Sequence, residues 1–177
     1  GQYAHAADWA LMAQAQAGQA AGPAAAAAAG DTAYRYFCGL SPAHRAAHPD
    51  RSAAYGIEPY VMAGDVYTVA PRVGRGGWSW YTGAAAWMHR AAVESVFGLR
   101  IEGGHLSLRP CLPSHWPQAE ITLERDGRTM HFVLRRPDAA GAEPGARQLL
   151  PGESLAWREL PVHSRFVVPL TDGEQSA

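Results

Sequence analysis

The chain has 177 residues, 47% of them hydrophobic and 18% charged, with a net charge of −1. That balance excludes a disordered chain, which lacks the apolar surface to fold, and a generic nucleic-acid binder, which needs a basic excess. The length suits one good-sized domain or parts of two. All fifteen basic residues are arginine, a coding bias that accompanies the heavy use of alanine, although arginine also suits planar recognition of oxyanions.

Cys38 and Cys111 stand alone, without metal-ligand spacing. A reduced cytosolic setting fits them as well as a single disulfide would. No apolar run is long enough to span a bilayer and no signal-peptide pattern opens the chain, so this segment is expected to be cytoplasmic and free of membrane contact. It begins on a glycine in mid-motif, which leaves room upstream for targeting or membrane segments of a longer parent.

Residues 1–17 carry helix-compatible alanines with Trp9, Leu11 and Met12, and Gly18 and Gly22 are expected to interrupt them. Ala6, Trp9 and Ala13 mark the expected inward stripe. His5 lies near the helix start, where it serves either as a packing residue or as a donor facing a pocket. Pro23 opens a second helix through six alanines to about Phe37, ended by Gly39. Residues 41–54 read as a polar connector. Its His44-x3-His48 pair lacks the glutamate of a His-Glu-x-x-His motif, and two ligands do not close a metal site. Glu58 and Pro59 are the expected start of a third helix, to about Tyr67.

The chain is organised around residues 74–83, Gly-Arg-Gly-Gly-Trp-Ser-Trp-Tyr-Thr-Gly, which run into a helical pattern from Ala84 to Phe97. Trp87, Met88, Ala91, Val93 and Phe97 form its apolar face, and Gly98 sits where a C-cap glycine belongs. A glycine-rich loop feeding a helix N-terminus leaves backbone N–H groups unpaired in front of the positive end of the helix dipole, a seat for an anion. Arg75 adds a fixed positive charge, and Trp78, Trp80 and Tyr81 offer flat apolar faces. The same residues would serve equally as a tight turn with core aromatics. No Gly-Lys-Ser/Thr follows, so this is not a Walker loop.

From Gly98 the period changes from helical to alternating: Leu99, Ile101, Leu106 and Leu108, then Ile121 and Leu123, then Met130, Phe132 and Leu134. Glu102-Gly103-Gly104-His105 and Asp126-Gly127 are hairpin signals. Residues 155–157 and 165–170 add two short strands, and residues 137–147 form an exposed loop. The fold class is therefore α+β, with helices over 1–97 and an antiparallel β unit over 98–177.

The segment Gly-Ile-Glu-Pro-Tyr-Val-Met-Ala-Gly-Asp-Val-Tyr at 56–67, the loop from Gly74 to Met88 and the stretch 106–116 together resemble glycoside hydrolase family 94. The similarity extends from Gly1 to roughly Pro137. The family holds inverting phosphorylases of β-linked glucose saccharides and the phosphorylase-like module of cyclic β-1,2-glucan synthases. The resemblance implies that 1–97 are the closing helices of an (α/α)6 barrel and that 98–177 form a small jelly-roll-like domain. It implies phosphate contacts at His5, within Gly-Gln-Tyr-x-His-Ala-Ala, and at Thr82 and Gly83. Trp80 and Tyr81 are candidate sugar-stacking faces, and Glu58, Asp65 and Arg75 serve equally as substrate ligands or as caps and ion pairs. The expected co-substrate is inorganic phosphate, with no cofactor and no metal. The expected partners are a β-glucan oligosaccharide and the rest of the parent polypeptide, which upstream segments would anchor in the inner membrane.

The family's general acid is an aspartate upstream of Gly1, and Asp65, followed by Val-Tyr, is not that residue. The chain alone is therefore expected to be inactive and poorly stable. Cellobiose- and chitobiose-cleaving members carry a glutamine where this chain has Gly64, which points to β-1,2-glucan. The alternative is a non-catalytic carbohydrate-binding or structural segment of a larger synthase. The Pro-Cys-Leu-Pro-Ser-His-Trp stretch at 110–116 is expected to pack between the two parts.

Overall fold

The computed structural model describes residues 1–141 and 143–170. The fold is α+β. Two long antiparallel helices, α1 (Ala4–Ala21) and α2 (Pro23–Leu40), are followed by short helices α3 (Pro42–Arg45) and α4 (Pro49–Tyr55). α5 (Thr82–Arg90) continues as a π-helical turn over Ala91–Val96. A small antiparallel sheet joins β1 (Gln2–Tyr3), β2 (Asp65–Val66) and β3 (Gly76–Gly77) in front of these helices. The remainder is two sheets built from β4 (Leu99–Glu102), β5 (His105–Leu108), β6 (Gln118–Arg125), β7 (Arg128–Arg135), β8 (Arg147–Gln148), β9 (Ser154–Ala156) and β10 (His163–Pro169). Their orders are β4-β5-β9 and β6-β7-β10-β8. Among the described residues, no helix is long and apolar enough to cross a membrane.

The switch of period at Gly98 is where β structure starts, one residue before β4. Gly98 adopts φ 85°, the left-handed conformation that ends a helix without a Cβ penalty. The hairpins fall where the glycine signals lie. Glu102 pairs with His105 across Gly103-Gly104, and Arg125 pairs with Arg128 across Asp126-Gly127. Asp126 and Gly127 both have positive φ, 48° and 71°, as a tight two-residue hairpin requires.

Several expectations are corrected. Gly18 does not interrupt α1; it lies buried inside it, and a Cβ there would stand 2.2 Å from the Ala29 Cβ. Its smallness lets α1 and α2 approach closely. The buried stripe of α1 is Ala4, Asp8, Leu11, Ala15 and Gly18, while Ala6, Trp9 and Ala13 are exposed. α2 continues through Gly39 to Leu40. The supposed connector at 41–54 contains α3 and most of α4. The expected helix after Glu58-Pro59 is absent, because the Gly64 N–H donates to the carbonyls of Gly77 and Trp78 and Asp65 pairs in the small sheet. The β unit is mixed, since β10 runs parallel to both β7 and β8. Of the loop expected at 137–147, Ala142 lies outside the described residues and Arg147 begins β8.

One apolar core joins the helices to the sheets: Leu11, Ala15, Ala33 and Ala91 pack in the same cluster as Leu106, Leu134, Trp157 and Phe166. Phe132 and Phe166 stack with ring centroids 5.1 Å apart. The Pro-Cys-Leu-Pro stretch lies on α2, as its composition suggests. A Cβ at Gly30 would stand 2.3 Å from the Leu112 carbonyl oxygen. The Asp31 carboxylate accepts from the Ser114 N–H at 2.7 Å, and Tyr34 packs against Trp116 at 5.1 Å. Burial pushes the Cys111 thiol up to about 11, so it behaves as an inert apolar side chain. Because the atom facing Gly30 is backbone, Gly30→Val should destabilise this chain by about 3 kcal/mol, the upper part of the overpacking range. A urea titration of both proteins measures it.

Candidate functional site

The small sheet brings the start of α1 to the start of α5. β1 pairs with β2 and β2 with β3. The Ala4 N–H donates to the Gly64 carbonyl (2.9 Å) and the Tyr81 N–H to the Met62 carbonyl (3.0 Å). His5 in the first turn of α1 thereby meets Gly83, which follows Thr82 in the first turn of α5. A Cβ on Gly83 would lie 2.9 Å from His5 Cε1 and 3.0 Å from Nε2, so only glycine leaves the backbone open toward the imidazole. Tyr81, the residue preceding α5, makes no side-chain cap. The first N–H groups of the helix thus keep the polarity that attracts an anion.

Tyrosines hold the histidine. Tyr3 Oη lies 3.2 Å from His5 Nδ1 and 3.0 Å from Tyr81 Oη, and the His5 and Tyr81 rings meet edge to face at 5.3 Å. The Tyr81 hydrogen bond, with partial burial, pushes the Tyr3 hydroxyl above the usual phenol range, so it remains a protonated donor at neutral pH. Nε2 of the same ring is the nitrogen that faces Gly83. Sequence reasoning missed Tyr3; its place two residues before the histidine was the available signal. On the outer side His5 faces Trp9, which packs against Trp87 at 5.6 Å.

The other site residues expected from sequence fall around this pair. Trp80 Nε1 donates to Glu58 Oε1 at 3.4 Å, and Tyr60 lies against the Trp80 ring at 6.3 Å. Arg75 is exposed in the β2–β3 hairpin, where its carbonyl accepts from the Tyr67 N–H and its N–H donates to the Arg72 carbonyl. Trp78 and Trp80 both have positive φ, 58° and 61°, conformations that cost bulky residues energy and that occur mainly where a site needs them. Both side chains are mostly exposed, Trp78 80%. The histidine pair of the connector is otherwise engaged: His44 packs edge-on to Tyr34 and Phe37, and His48 accepts from the Asp50 N–H at the start of α4.

The family described as "Glycosyl hydrolase 94 superfamily, catalytic domain" matches residues 1–98. The cyclic beta-(1,2)-glucan synthase NdvB of Rhizobium meliloti (strain 1021) is 39% identical over 144 residues, 81% of this chain and 5% of that protein. The N,N'-diacetylchitobiose phosphorylase of Vibrio proteolyticus is 27% identical over 138 residues, 77% of this chain and 16% of its own. The solabiose phosphorylase of Paenibacillus borealis is 27% identical over 135 residues, 75% and 17% respectively. The chain therefore spans a small part of the relatives it matches. With the family match covering more than half of its residues, including His5, Thr82 and Gly83, the chain belongs to the glycosyl hydrolase 94 superfamily.

Proposed function

We propose that the chain is the C-terminal part of a family 94 glucan phosphorylase-type module and forms the phosphate-binding half of a site acting on β-linked glucan, β-1,2 in linkage. The single observation that carries this reading is the open approach between the His5 imidazole and the Gly83 backbone at the start of α5. Phosphate needs no base to become a nucleophile. It needs positioning and charge compensation, which His5 Nε2, the Thr82 hydroxyl and the first N–H groups of α5 would supply. A phosphate oxygen would attack the anomeric carbon while the departing glycosidic oxygen takes a proton from an aspartate outside this chain, with inversion. Relatives that are phosphorylases support phosphate and a sugar as the substrates, and the NdvB relative together with Gly64 supports the β-1,2 linkage.

On this reading residues 1–97 close an (α/α)6 barrel, residues 98–177 belong to a jelly-roll-like companion domain, and the exposed face of α1 around Trp9 packs on the rest of the parent. The parent works in the cytoplasm, held at the inner membrane by segments outside this chain. The exposed Tyr60, Trp78 and Trp80 favour a second reading, a carbohydrate-binding segment without chemistry, which would be indifferent to inorganic phosphate.

Kinetics of the full-length protein separate the two readings. His5→Ala and Thr82→Ala should each raise the phosphate requirement about ten- to hundredfold, the worth of one charge-assisted hydrogen bond, while glucan affinity stays near wild type. Unchanged phosphate kinetics with weakened glucan binding would make the loop a sugar platform.

A further inference from the structure

At the far end of α1 from His5, the last turns of the helix and the β4-β5-β9 sheet enclose a cleft of about 470 Å³. Its polar lining includes Gln16, Gln19, Arg100, Ser107, Arg109 and Ser154. We infer that this cleft binds a sugar phosphate, the phosphate on Arg100 and Arg109 and the sugar hydroxyls on the serine, glutamine and Glu102 groups. The inference goes beyond the phosphorylase reading and does not depend on it. Roughly 16 Å of helix separates Gln16 from His5, so this is not the anion seat at the start of α5.

The strand register assembles this lining. Arg100 of β4 stands opposite Ser107 of β5, and Ser107 opposite Ser154 of β9. Side chains alternate across a strand, so these three share one face of the sheet. Leu99, Leu106, Leu108 and Leu155 belong to the alternate positions and join the apolar core. Glu102 and His105 form the neighbouring cross-strand pair on the polar face and also line the cleft. Gln19 ties the helix to the sheet: its carboxamide donates to the carbonyls of Ser95 (3.0 Å) and Arg109. The Arg109 side chain lies over Gly152, where a Cβ would stand 3.4 Å from its Nε.

The charge of the cleft selects the ligand. Arg90, Arg135, Arg147 and Arg165 each pair with a glutamate. Among the described residues no carboxylate pairs with Arg100 or Arg109. Arg100 Nε is buried and has no hydrogen-bond partner, a rare state, because burial removes water from the donor without replacing the lost bond. Two guanidiniums against the single carboxylate of Glu102 leave the cleft cationic. Their planar forks and combined charge match a phosphate monoester, which carries close to two negative charges. The cleft has the size of a small-molecule site, and the groups around the rest of it are hydroxyls, amides and one carboxylate, which exchange hydrogen bonds with a polyol. Glu102 repels the phosphate and so serves the sugar. No Trp, Tyr or Phe among the described residues lines the cleft, which leaves a nucleobase without a stacking plane.

The test uses the full-length protein carrying Gly83→Val, which closes the His5 seat, titrated calorimetrically with glucose 6-phosphate and, separately, with inorganic phosphate. Glucose 6-phosphate should bind at one site per chain and more tightly than inorganic phosphate. Adding Arg100→Gln or Arg109→Gln should weaken its binding about ten- to hundredfold. Arg100→Lys, which keeps the charge, should retain binding within about tenfold. Glu102→Ala should narrow the preference for glucose 6-phosphate over inorganic phosphate, since it removes a hydroxyl acceptor and a repelling charge together. No binding to the Gly83→Val protein, or an affinity unchanged by both arginine substitutions, would overturn the site. Glucose 6-phosphate binding no tighter than inorganic phosphate would overturn its assignment to a sugar phosphate. The phosphorylase reading fails on other proteins, His5→Ala and Thr82→Ala with both arginines intact, so the two failures are distinguishable.

Discussion

Replacing Gly83 with valine is expected to abolish phosphate use by the full-length protein, a larger loss than His5→Ala or Thr82→Ala alone. The Cβ position of Gly83 falls 2.9–3.0 Å from two atoms of the imidazole, closer than a carbon tolerates. A branched side chain would therefore push His5 out of line and also cover the N–H groups that an anion must approach. Two contributions to phosphate binding vanish together, each worth about 1.5–3 kcal/mol, so phosphate kcat/KM should fall by about a hundredfold to ten-thousandfold. Gly83 is exposed in the first turn of α5, where valine costs little helix stability. The melting temperature should thus stay close to wild type. Gly83→Ala should fall between, since a single methyl crowds the imidazole without fully covering the helix end. A Gly83→Val protein with wild-type phosphate kinetics would remove the anion seat from this loop.

A second large effect is expected from Asp8, on stability. This residue lies in the buried stripe of α1, fully inaccessible, and neither of its carboxyl oxygens has a partner. Burial alone pushes its pKa up to about 7 from 3.8, because the charged form loses its water and gains nothing in return. The folded state therefore binds a proton that the unfolded state has released between those two values. Stability is greatest below about pH 4 as far as this group is concerned, declines as pH rises toward 7, and levels off above it.

Asp8→Asn should abolish that decline. At pH 8 the variant should be more stable by up to about 4 kcal/mol, and at pH 4 the two proteins should be nearly equal. For a chain of this size each kcal/mol moves the melting temperature by roughly 2–4 °C. Thermal melts at pH 4, 6 and 8 read the difference directly. A variant whose melting temperature follows wild type at all three values would show that Asp8 is solvated or paired in solution.

Much of the local structure was legible because it depends on neighbours in sequence. Gly98 marks the end of the helical run, since a left-handed residue there needs no distant partner. The change of apolar spacing from Phe97 to Leu99 locates the first β strand, and Asp126-Gly127 sets the β6–β7 register. The segments 56–67, 74–88 and 106–116 identified the family, and the fold sets His5 against Gly83.

What only the tertiary structure decided depends on partners far along the chain. Alanine lines nearly every side of α1, so hydropathy could not choose its inner face; close packing of Gly18 against Ala29 did. Residues 58–67 carry a helix start, yet backbone bonds from Gly64 to Gly77 and Trp78 outcompete it. Alternation in residues 163–169 predicts a strand but says nothing of its direction, and β10 lies parallel between β7 and β8. The unpaired carboxyl group of Asp8 and the Tyr3 hydroxyl on His5 arise in the same way. Burial and hydrogen bonding are properties of the assembled chain, fixed only when its distant segments meet.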